Sequence, residues 1–392
     1  MSAIALDLPP TCPLVIDPAE LRRALSDLEP GAAPRLHLLA RLARRLEQEQ
    51  PHLERLMMAE TGYTRGECAA LLDAAYRFAT GLDELMTLHR ALAAAESEGY
   101  ADITEDPGAE IELRPWGRCL ICTPANAPAP LALALPLALV AAGNQVVLAP
   151  SGKARGTALR LGRLVAETVG GVVLWDGRVR DAITALIGDI DLVYYLGGSS
   201  AFPELAATCA RAGVELLYEG EGNGVAVVDR GMPLAAAIPP LVAAKTAFGG
   251  RMCSAPNAIA VPRGTAGEFA AAWRRHPGAP ALTPADSLAG AVERELFRPE
   301  AFLVEFADWG ALARDLAAVR HRLQLSIFSR DERRIEELIA ATRFARYAVN
   351  RCPIDQDPLL PWGGYGRSGR ADVLDFYRKG LRRVIVERGG VS

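Results

Sequence analysis

The stretch "RCLICTPANAPAPLALALPLALVAAGNQVVLAP", residues Arg118–Pro150, decides the fold of this chain. It lies within a run from Cys119 to Gly152 that contains no charged residue and is long enough for a transmembrane helix. Pro124, Pro128, Pro130 and Pro136 break the run, however, and Gly143 with Asn144 forms a turn signal inside it. The stretch therefore predicts a buried strand, a loop, a buried helix near Leu131 to Ala142 and a second buried strand.

Strands and helices continue to alternate on the C-terminal side of this stretch. The pattern predicts a helix from Gly156 to Val169, followed by the strands "GVVLWDG" (171–177) and "DLVYYLGG" (191–198). This rhythm is typical of a parallel, doubly wound sheet with helices on both faces. Residues 18–95, on the N-terminal side, are predicted to be mainly helical.

A second unit is predicted to begin near Met232. It contains a helix through Ala247, a strand after Cys253, a helix near Ala285 to Leu296, and the strands "EAFLVEF" and "LQLSIFS". The C-terminal segment "GLRRVIVERGG" alternates apolar and charged residues, which indicates a strand exposed on one face. Because exposed strand edges are usually paired or covered, a partner subunit is expected there.

The composition narrows the class of protein. The 392 residues suggest two or three domains, half of them are hydrophobic, and a net charge of −4 leaves no basic face for nucleic acid. Seven cysteines without framework spacing are most simply the reduced thiols of a cytosolic protein. The five histidines form no metal-ligand pair on one helix face, so no metal is expected. No export signal is visible at the N-terminus.

Three short segments carry candidate chemistry. Cys253, in "AFGGRMCSAPNAIAV" (247–261), is either a buried packing residue or a nucleophile. Asn126 follows a buried strand and either caps a turn or donates its amide N–H groups to a developing oxyanion. Gly197 and Gly198 end a strand and open a helix, where backbone N–H groups can meet a pyrophosphate. A Gly-Gly turn is a weak signal by itself.

Four segments, taken in order, resemble the aldehyde dehydrogenase superfamily. They are "RPWGRCLICTPANAPAPLALALPLALVAAGNQVVLAPSGKA", similar to the start of its cofactor domain, "AAKTAFGGRMCSAP", similar to its nucleophile segment, "ERELFRPEAFLVEF" and "AVNRCP…LPWGGYGRSGR". The resemblance runs from about residue 55 to the C-terminus. Each motif alone would be unspecific, but four in the family's order are specific.

The resemblance implies a role for each matching residue. Cys253 would be the nucleophile, and Asn126 with the Cys253 backbone N–H would hold the oxyanion. Glu295 would hold the nicotinamide ribose, and Gly197 and Gly198 would lie beside the pyrophosphate. The other cofactor-binding residues that it implies are Thr123, Pro124, Ala149, Ser151 and Phe297. A thiolate would add to a carbonyl, and hydride transfer to the nicotinamide would leave a thioester on Cys253.

The sequence departs from the family's hydrolytic pattern at the glutamate that activates water. The matching stretch "LLYEGEGNGVAVVD" (216–229) places Tyr218 at that position. Glu219 and Glu221 are close, but successive strand residues face opposite sides, so a shift of one residue matters. The segment "GEGN" resembles Gly-Pro-Gly-Asn of the CoA-acylating branch, whose thiol acceptor needs less activation than water.

The cofactor turn differs as well. The family's Lys-Pro-Ser-Glu is here Ala149-Pro150-Ser151-Gly152, with Lys153 and Arg155 just beyond. Loss of the acidic residue removes a repulsion against a 2′-phosphate, so the cofactor is predicted to be NAD or NADP; weakened dinucleotide binding is the alternative. The segment between Cys253 and Glu295 is shorter than is usual in the family, which suggests an open site for a bulky or tethered acyl group.

The expected architecture is an aldehyde dehydrogenase-like α/β fold. Residues 1–225 form the dinucleotide-binding domain with a strand excursion at 98–114, residues 226–372 the catalytic domain, and residues 373–392 a C-terminal oligomerisation strand. The two strands are expected to pair near Ile111 and Ile385. A homodimer or homotetramer in the cytoplasm, without nucleic acid or membrane partners, is expected.

The expected function is NAD(P)-dependent interconversion of an acyl thioester and an aldehyde through Cys253. The acyl group would be carried by CoA as co-substrate or by an acyl carrier protein. Two alternatives stay open. One is hydrolytic oxidation of an aldehyde, with Glu219 or Glu221 as the base. The other is a catalytically inactive scaffold of the same fold.

Overall fold

The computed structural model describes residues 14–29, 36–104, 109–369 and 373–387. The helices in these ranges are α1 Pro18–Ser26, α2 Leu36–Thr61, α3 Arg65–Thr104, α4 Pro128–Ala141, α5 Arg155–Thr168, α6 Val179–Leu186, α7 Phe202–Ala212, α8 Leu234–Thr246, α9 Ala266–Arg275, α10 Leu288–Ala291, α11 Trp309–Ala318, α12 Glu332–Ala341 and α13 Phe376–Lys379. The strands are β1 Leu14–Val15, β2 Ala109–Pro115, β3 Arg118–Thr123, β4 Gln145–Pro150, β5 Val172–Trp175, β6 Leu192–Leu196, β7 Glu215–Glu219, β8 Gly224–Val228, β9 Pro256–Pro262, β10 Ala281–Pro284, β11 Glu300–Phe306, β12 His321–Arg322, β13 Gln324–Phe328, β14 Arg346–Val349, β15 Tyr365–Gly366 and β16 Leu381–Glu387.

The first sheet has six parallel strands in the order β1-β5-β4-β3-β6-β7. The chain moves outward from β3 through β4 to β5 and then places β6 on the other side of β3. The strand order therefore reverses between β3 and β6. Ligands of open α/β sheets bind outside the carboxyl ends of the strands at such a reversal. Thr123 and Leu196 end these two strands, so the expected crevice lies beside them.

The uncharged run forms β3, α4 and β4, as the sequence predicts. Pro128 stands in the first turn of α4, where its missing N–H interrupts no helical hydrogen bond. The helix is apolar all round because it is buried nearly throughout its length, in contact with α3, α5 and α13. This packing fixes the loop at 124–127 at the crevice. No helix in the described ranges is both long and apolar enough to cross a membrane.

The second sheet also has six parallel strands, in the order β10-β11-β9-β8-β13-β14. The chain passes from the first sheet to the second through residues 220–223, between the end of β7 and the start of β8. Cys253 precedes β9, so it lies at the amino edge of the second sheet. Residues from this edge and from the carboxyl edge of the first sheet line one cavity.

The C-terminal strand β16 pairs antiparallel with β2 and forms a two-stranded ribbon, with Ile385 opposite Ile111. The strands therefore pair near Ile111 and Ile385, as the expected architecture has it, and they do so within one chain. Ile385 is 72% exposed, so the ribbon carries an uncovered apolar side chain.

The prediction of a helix near Ala285 to Leu296 is wrong for most of that segment, because only the short helix α10 (Leu288–Ala291) forms there. Two asparagine side chains take the carbonyl groups that would extend it: Asn223 Nδ2 donates to the Val292 oxygen, and Asn257 Nδ2 donates to the Arg294 oxygen at 2.7 Å. The residues after α10 therefore form a loop, and this loop carries Glu295.

Candidate active site

A cavity of about 1710 Å³ lies where the two sheets meet. It brings together predicted residues from five parts of the chain. Those that line it are Pro124, Asn126, Gly197, Gly198, Glu219, Cys253, Glu295 and Phe297. The cavity also reaches Phe376, which precedes the C-terminal strand, and Arg346 on β14.

Cys253 is held by a strained turn. Phe248, Gly249 and Gly250 have φ of 53°, 59° and 69°, a left-handed path that glycine adopts readily and phenylalanine does not. The Phe248 N–H donates to the Glu67 carboxylate at the start of α3. A Cβ on Gly250 would lie 2.5 Å from the backbone of Arg298, so this turn packs directly against the loop that carries Glu295.

The environment of Cys253 favours the neutral thiol. Burial, and then the carboxylates of Glu295 and Glu219, raise its pKa from 9.0 to about 12. The backbone N–H groups of Cys253 and Ser254 oppose this shift by hydrogen bonding to the sulfur. The site therefore already holds donors for a thiolate, but burial and the two carboxylates outweigh them.

Asn126 reaches the Cys253 loop from the end of β3. Its Nδ2 donates to the Arg251 carbonyl at 3.0 Å, and its own carbonyl accepts a hydrogen bond from the Tyr63 hydroxyl at 2.8 Å. The Arg251 guanidinium stacks on the Tyr63 ring, 4.4 Å from its centroid. Because an amide NH2 carries two hydrogens, the bond to Arg251 ties Asn126 to the turn and leaves its second N–H without a partner among the described residues.

Glu295 and Cys253 both pack against Gly222. The Gly222 N–H donates to Glu295 Oε1 at 3.2 Å, and a Cβ on Gly222 would fall 1.7 Å from the Cys253 carbonyl oxygen. Burial raises the pKa of Glu295 from 4.5 to about 7, against the opposing hydrogen bond from Gly222 and the charge of Lys245. The loop that breaks the predicted helix thus places a near-neutral carboxyl group beside Cys253.

Glu219 points into the cavity while Tyr218 points away from it. Tyr218 is buried on the opposite face of β7, where its ring lies 4.3 Å from that of Phe202. Glu219 Oε1 accepts hydrogen bonds from Lys379 Nζ and the Tyr194 hydroxyl. Glu219 Oε2 is buried and has no hydrogen-bond partner in the described part of the chain. The one-residue shift in sequence therefore changes which side chain faces the cysteine.

Glu221 occupies the turn at which a pyrophosphate is predicted. Its Oε1 accepts from the Ser199 backbone N–H at 3.2 Å and from Ser199 Oγ at 2.9 Å, immediately after Gly197 and Gly198. His321 Nε2 lies 3.5 Å from Oε2. These contacts join residues far apart in sequence, and no local pattern indicates them.

The turn predicted to hold the adenosine ribose lies outside the cavity lining. Ala149 is fully buried in the first sheet, and the Ser151 hydroxyl accepts the Lys153 N–H at 3.5 Å. Thr123, at the end of β3, is 2% exposed, and its Oγ1 has no hydrogen-bond partner among the described residues. The roles of Ala149 and Ser151 stay predictions.

Comparisons of this sequence with known proteins all lead to one family. A family model described as the aldehyde dehydrogenase family matches residues 26–276. Coniferyl aldehyde dehydrogenase from a Pseudomonas species is 29% identical over 171 residues, which are 42% of this chain and 35% of that protein. An aldehyde dehydrogenase from Craterostigma plantagineum is 30% identical over 159 residues, 40% of this chain and 33% of that protein. The matched stretch therefore spans only about a third of the length of these relatives.

Solved structures show the same fold over nearly the whole chain. An NAD-dependent aldehyde dehydrogenase from Sinorhizobium meliloti superposes with a TM-score of 0.81 at 19% identity, covering 96% of this chain and 88% of that one. An aldehyde dehydrogenase from Mycobacterium tuberculosis in complex with NAD+ gives 0.80 at 18% identity, covering 96% and 91%. At this level of identity, the likeness establishes the architecture.

Proposed function

The chain belongs to the aldehyde dehydrogenase family, and we propose that it interconverts an aldehyde and an acyl thioester with NAD or NADP, through a covalent thioester on Cys253. The observation that carries the proposal is the shared cavity: Cys253, the Asn126 amide and the Glu295 carboxyl group line it together. A nucleophile, an oxyanion donor and an ionisable group beside them are the parts that acyl transfer requires.

The crevice at the reversal of the first sheet fits a nicotinamide dinucleotide. Thr123 Oγ1 is a buried hydroxyl without a partner in the described structure, and Gly197 and Gly198 line the cavity just before Ser199, whose N–H donates to the Glu221 carboxylate. We propose that Thr123, the two glycines and Pro124 hold the phosphate side, and that Glu295 and Phe297 hold the ribose and ring near Cys253. When bound, the cofactor supplies hydride exchange at the carbonyl carbon.

The residues of the chain supply the covalent steps. Cys253 must lose its proton before it can attack, since the thiolate is the nucleophile. The backbone N–H groups of Cys253 and Ser254 stabilise the sulfur anion. The proton passes to a carboxylate of the cavity, and Glu295 is suited to this because its pKa of about 7 allows both protonation states near neutral pH. The free N–H of Asn126 and the Cys253 backbone N–H then hold the oxyanion as the Sγ–carbon bond forms.

Transfer of the acyl group to a thiol is favoured by the direction of Tyr218. The hydrolytic glutamate would be expected at its position, but a tyrosine stands there, and its ring packs against Phe202 and does not line the cavity. A thiol acceptor such as CoA or the phosphopantetheine of an acyl carrier protein ionises more easily than water and needs less help from a base.

A second candidate function is hydrolytic oxidation of the aldehyde, with Glu219 as the base. The observation in its favour is Glu219 Oε2, a buried carboxylate oxygen without a partner in the described residues, on a side chain that lines the cavity. A carboxylate in this lining can accept a proton from water placed next to the Cys253 thioester.

The deciding experiment measures NAD(P)H absorbance at 340 nm with a panel of aldehydes, NAD+ or NADP+, and CoA present or absent. The acylating proposal predicts turnover that requires CoA and disappears in Cys253→Ala. Cys352→Ala is the matched control, because Cys352 is also a partly exposed cysteine. Turnover without CoA would instead support hydrolysis, and full turnover in Cys253→Ala would overturn both.

We also propose that the chain self-associates as a homodimer or homotetramer through the β2–β16 ribbon. Ile385 on β16 and Ile103 at the end of α3 are 72% and 80% exposed, which is unusual for isoleucine in a protein without a partner.

A further inference from the structure

A buried ion pair connects the C-terminal segment to the catalytic cavity. Lys379 is 1% exposed, Glu219 6% and Tyr194 0%. Lys379 Nζ donates to the Tyr194 hydroxyl at 2.9 Å and to Glu219 Oε1, which also accepts from Tyr194. A lysine is rarely buried so completely, because removing its charge from water is unfavourable unless a counter-charge and hydrogen bonds compensate.

The three side chains come from elements that are far apart in the sequence. Tyr194 belongs to β6, Glu219 ends β7, and Lys379 ends α13 immediately before β16. Lys379 is also fixed through its backbone, since its carbonyl accepts a hydrogen bond from Trp116 Nε1 at 3.1 Å. Asp375 caps α13 and contacts His89 of α3 at 2.5 Å. The lysine is therefore held in place independently of the carboxylate that it contacts.

Only one oxygen of Glu219 is used by this contact. Oε1 carries the bonds to Lys379 and Tyr194, whereas Oε2 has no partner in the described residues and belongs to a side chain that lines the Cys253 cavity. Without Lys379, a carboxylate buried to this degree would be uncompensated and would take up a proton at a much higher pH than usual. The charge next to Cys253 thus depends on a residue of the C-terminal segment.

We propose that Lys379 is a positioning residue of the active site: it holds Glu219 ionised in the lining of the cavity that contains Cys253. The inference rests on the proposed function insofar as Cys253 is the nucleophile. It goes further, because it assigns the control of the local charge to a residue outside the family's nucleophile and cofactor segments.

Other charged groups face the same sulfur. Glu295 faces it from the loop after α10, and Arg346 faces it from β14. Lys245 of α8 acts on Glu295. Substitutions at Lys379 or Glu219 leave all three of these side chains in place. Differences among the variants therefore report the effect of the Lys379–Glu219 ion pair.

The test is the rate of Cys253 alkylation by iodoacetamide from pH 6 to 10, read by peptide mass spectrometry with Cys352 as internal reference. In the wild type, log rate bends near pH 7, where Glu295 gains its charge, and rises steadily above pH 8 because the thiol pKa lies near 12. In Lys379→Met, ionisation of the now unpaired Glu219 opposes thiolate formation, so the profile gains a further bend and the rate at pH 9 falls by about three- to tenfold. Lys379→Met with Glu219→Gln removes this second titrating group and restores the wild-type shape of the profile.

A purely structural role for Lys379 predicts lower thermal stability in both Lys379 variants without a further bend, and that result would overturn the inference. If Lys379→Met does not fold, Glu219→Gln alone serves, since it is nearly isosteric and leaves a positive charge that speeds alkylation. Equal rates in wild type and Glu219→Gln would also overturn it. Failure of the proposed function is separate: it is seen as full turnover in Cys253→Ala, whatever the alkylation profile.

Discussion

Cys253 and Glu295 form an electrostatic pair in which each disfavours the charge of the other. The carboxylate of Glu295 is, after burial, the largest cause of the raised thiol pKa. Glu295 itself has a pKa of about 7, so it carries its charge above that pH and loses it below. Reactivity of the thiol in the absence of cofactor is therefore governed by a group that titrates near neutrality.

We expect Glu295→Gln to accelerate alkylation of Cys253 by about tenfold at pH 8 to 9, the change that follows from lowering the thiol pKa by one unit. The sign depends on pH: below about pH 6, wild-type Glu295 is already neutral, so the two proteins should react at similar rates. Measuring both rates across this range tests the pair.

The matched control for this substitution is Glu293→Gln. Glu293 lines the same cavity two residues earlier, but its side chain is exposed, and it is not among the groups that shift the Cys253 pKa. Equal acceleration by both substitutions would show that the effect is general to the loop and not specific to Glu295.

Among the elements, the β7–β8 connection sets the distance between the two sheets at Cys253. Gly222 in this connection has no space for a side chain, because a Cβ would lie 1.7 Å from the Cys253 carbonyl oxygen and 2.9 Å from its Cα. The Gly222 N–H also holds Glu295. A single backbone position thus fixes both groups.

We expect Gly222→Ala to reduce turnover by at least about a hundredfold, since catalysis is sensitive to displacements near 1 Å and the Cys253 backbone must move by more than that to relieve the contact. Gly231→Ala is the control: Gly231 lies in the loop after β8 with nothing within 4 Å of a built Cβ. Turnover is measured with the aldehyde and acceptor that the wild type uses. Near-wild-type turnover of Gly222→Ala would contradict the tight contact.

The elements also show which features a sequence can predict. β3, α4 and β4 were predictable because buried apolar runs, prolines and a Gly-Asn turn are local signals. The helix near Ala285 to Leu296 was not, since its carbonyls are taken by Asn223 and Asn257 from other parts of the chain. Tertiary contacts outweighed local helix propensity there.

The candidate site divides in the same way. Cys253, Asn126 and Glu295 were recognisable from the family's motifs, and the cavity brings them together. Lys379 and Tyr194 were not, because their contacts with Glu219 span 160 and 25 residues and depend on the register of two sheets and a short helix. Strand alternation alone predicts only that Glu219 and Tyr218 face opposite sides.

At the scale of the whole molecule, the ribbon and the end of α3 form a surface that is apolar beyond what a monomer needs. Leu88, Leu92, Tyr100 and Ile103 follow one another at helical spacing along α3 and are each at least half exposed. Glu96, on the same side of the helix, forms an ion pair with Arg383 of β16 at 3.0 Å. The exposed helix face therefore lies alongside the ribbon that carries Ile385.

A second copy of the chain is the expected partner for this surface, since an open strand edge and an apolar helix face on one subunit can be covered together by the same features of another.

We expect the wild type to run as a dimer or tetramer by multi-angle light scattering at micromolar concentration. We expect Ile385→Lys combined with Leu92→Lys to shift it towards monomer. Ile16→Lys, at an isoleucine that is 68% exposed near β1, should leave the mass unchanged. A monomeric wild type would remove the proposal. If the double variant is monomeric and also loses activity, we expect the loss to arise through Lys379, because Lys379 immediately precedes β16 and a displaced ribbon would displace its contact with Glu219. The alkylation profile of Cys253 should then bend as it does in Lys379→Met.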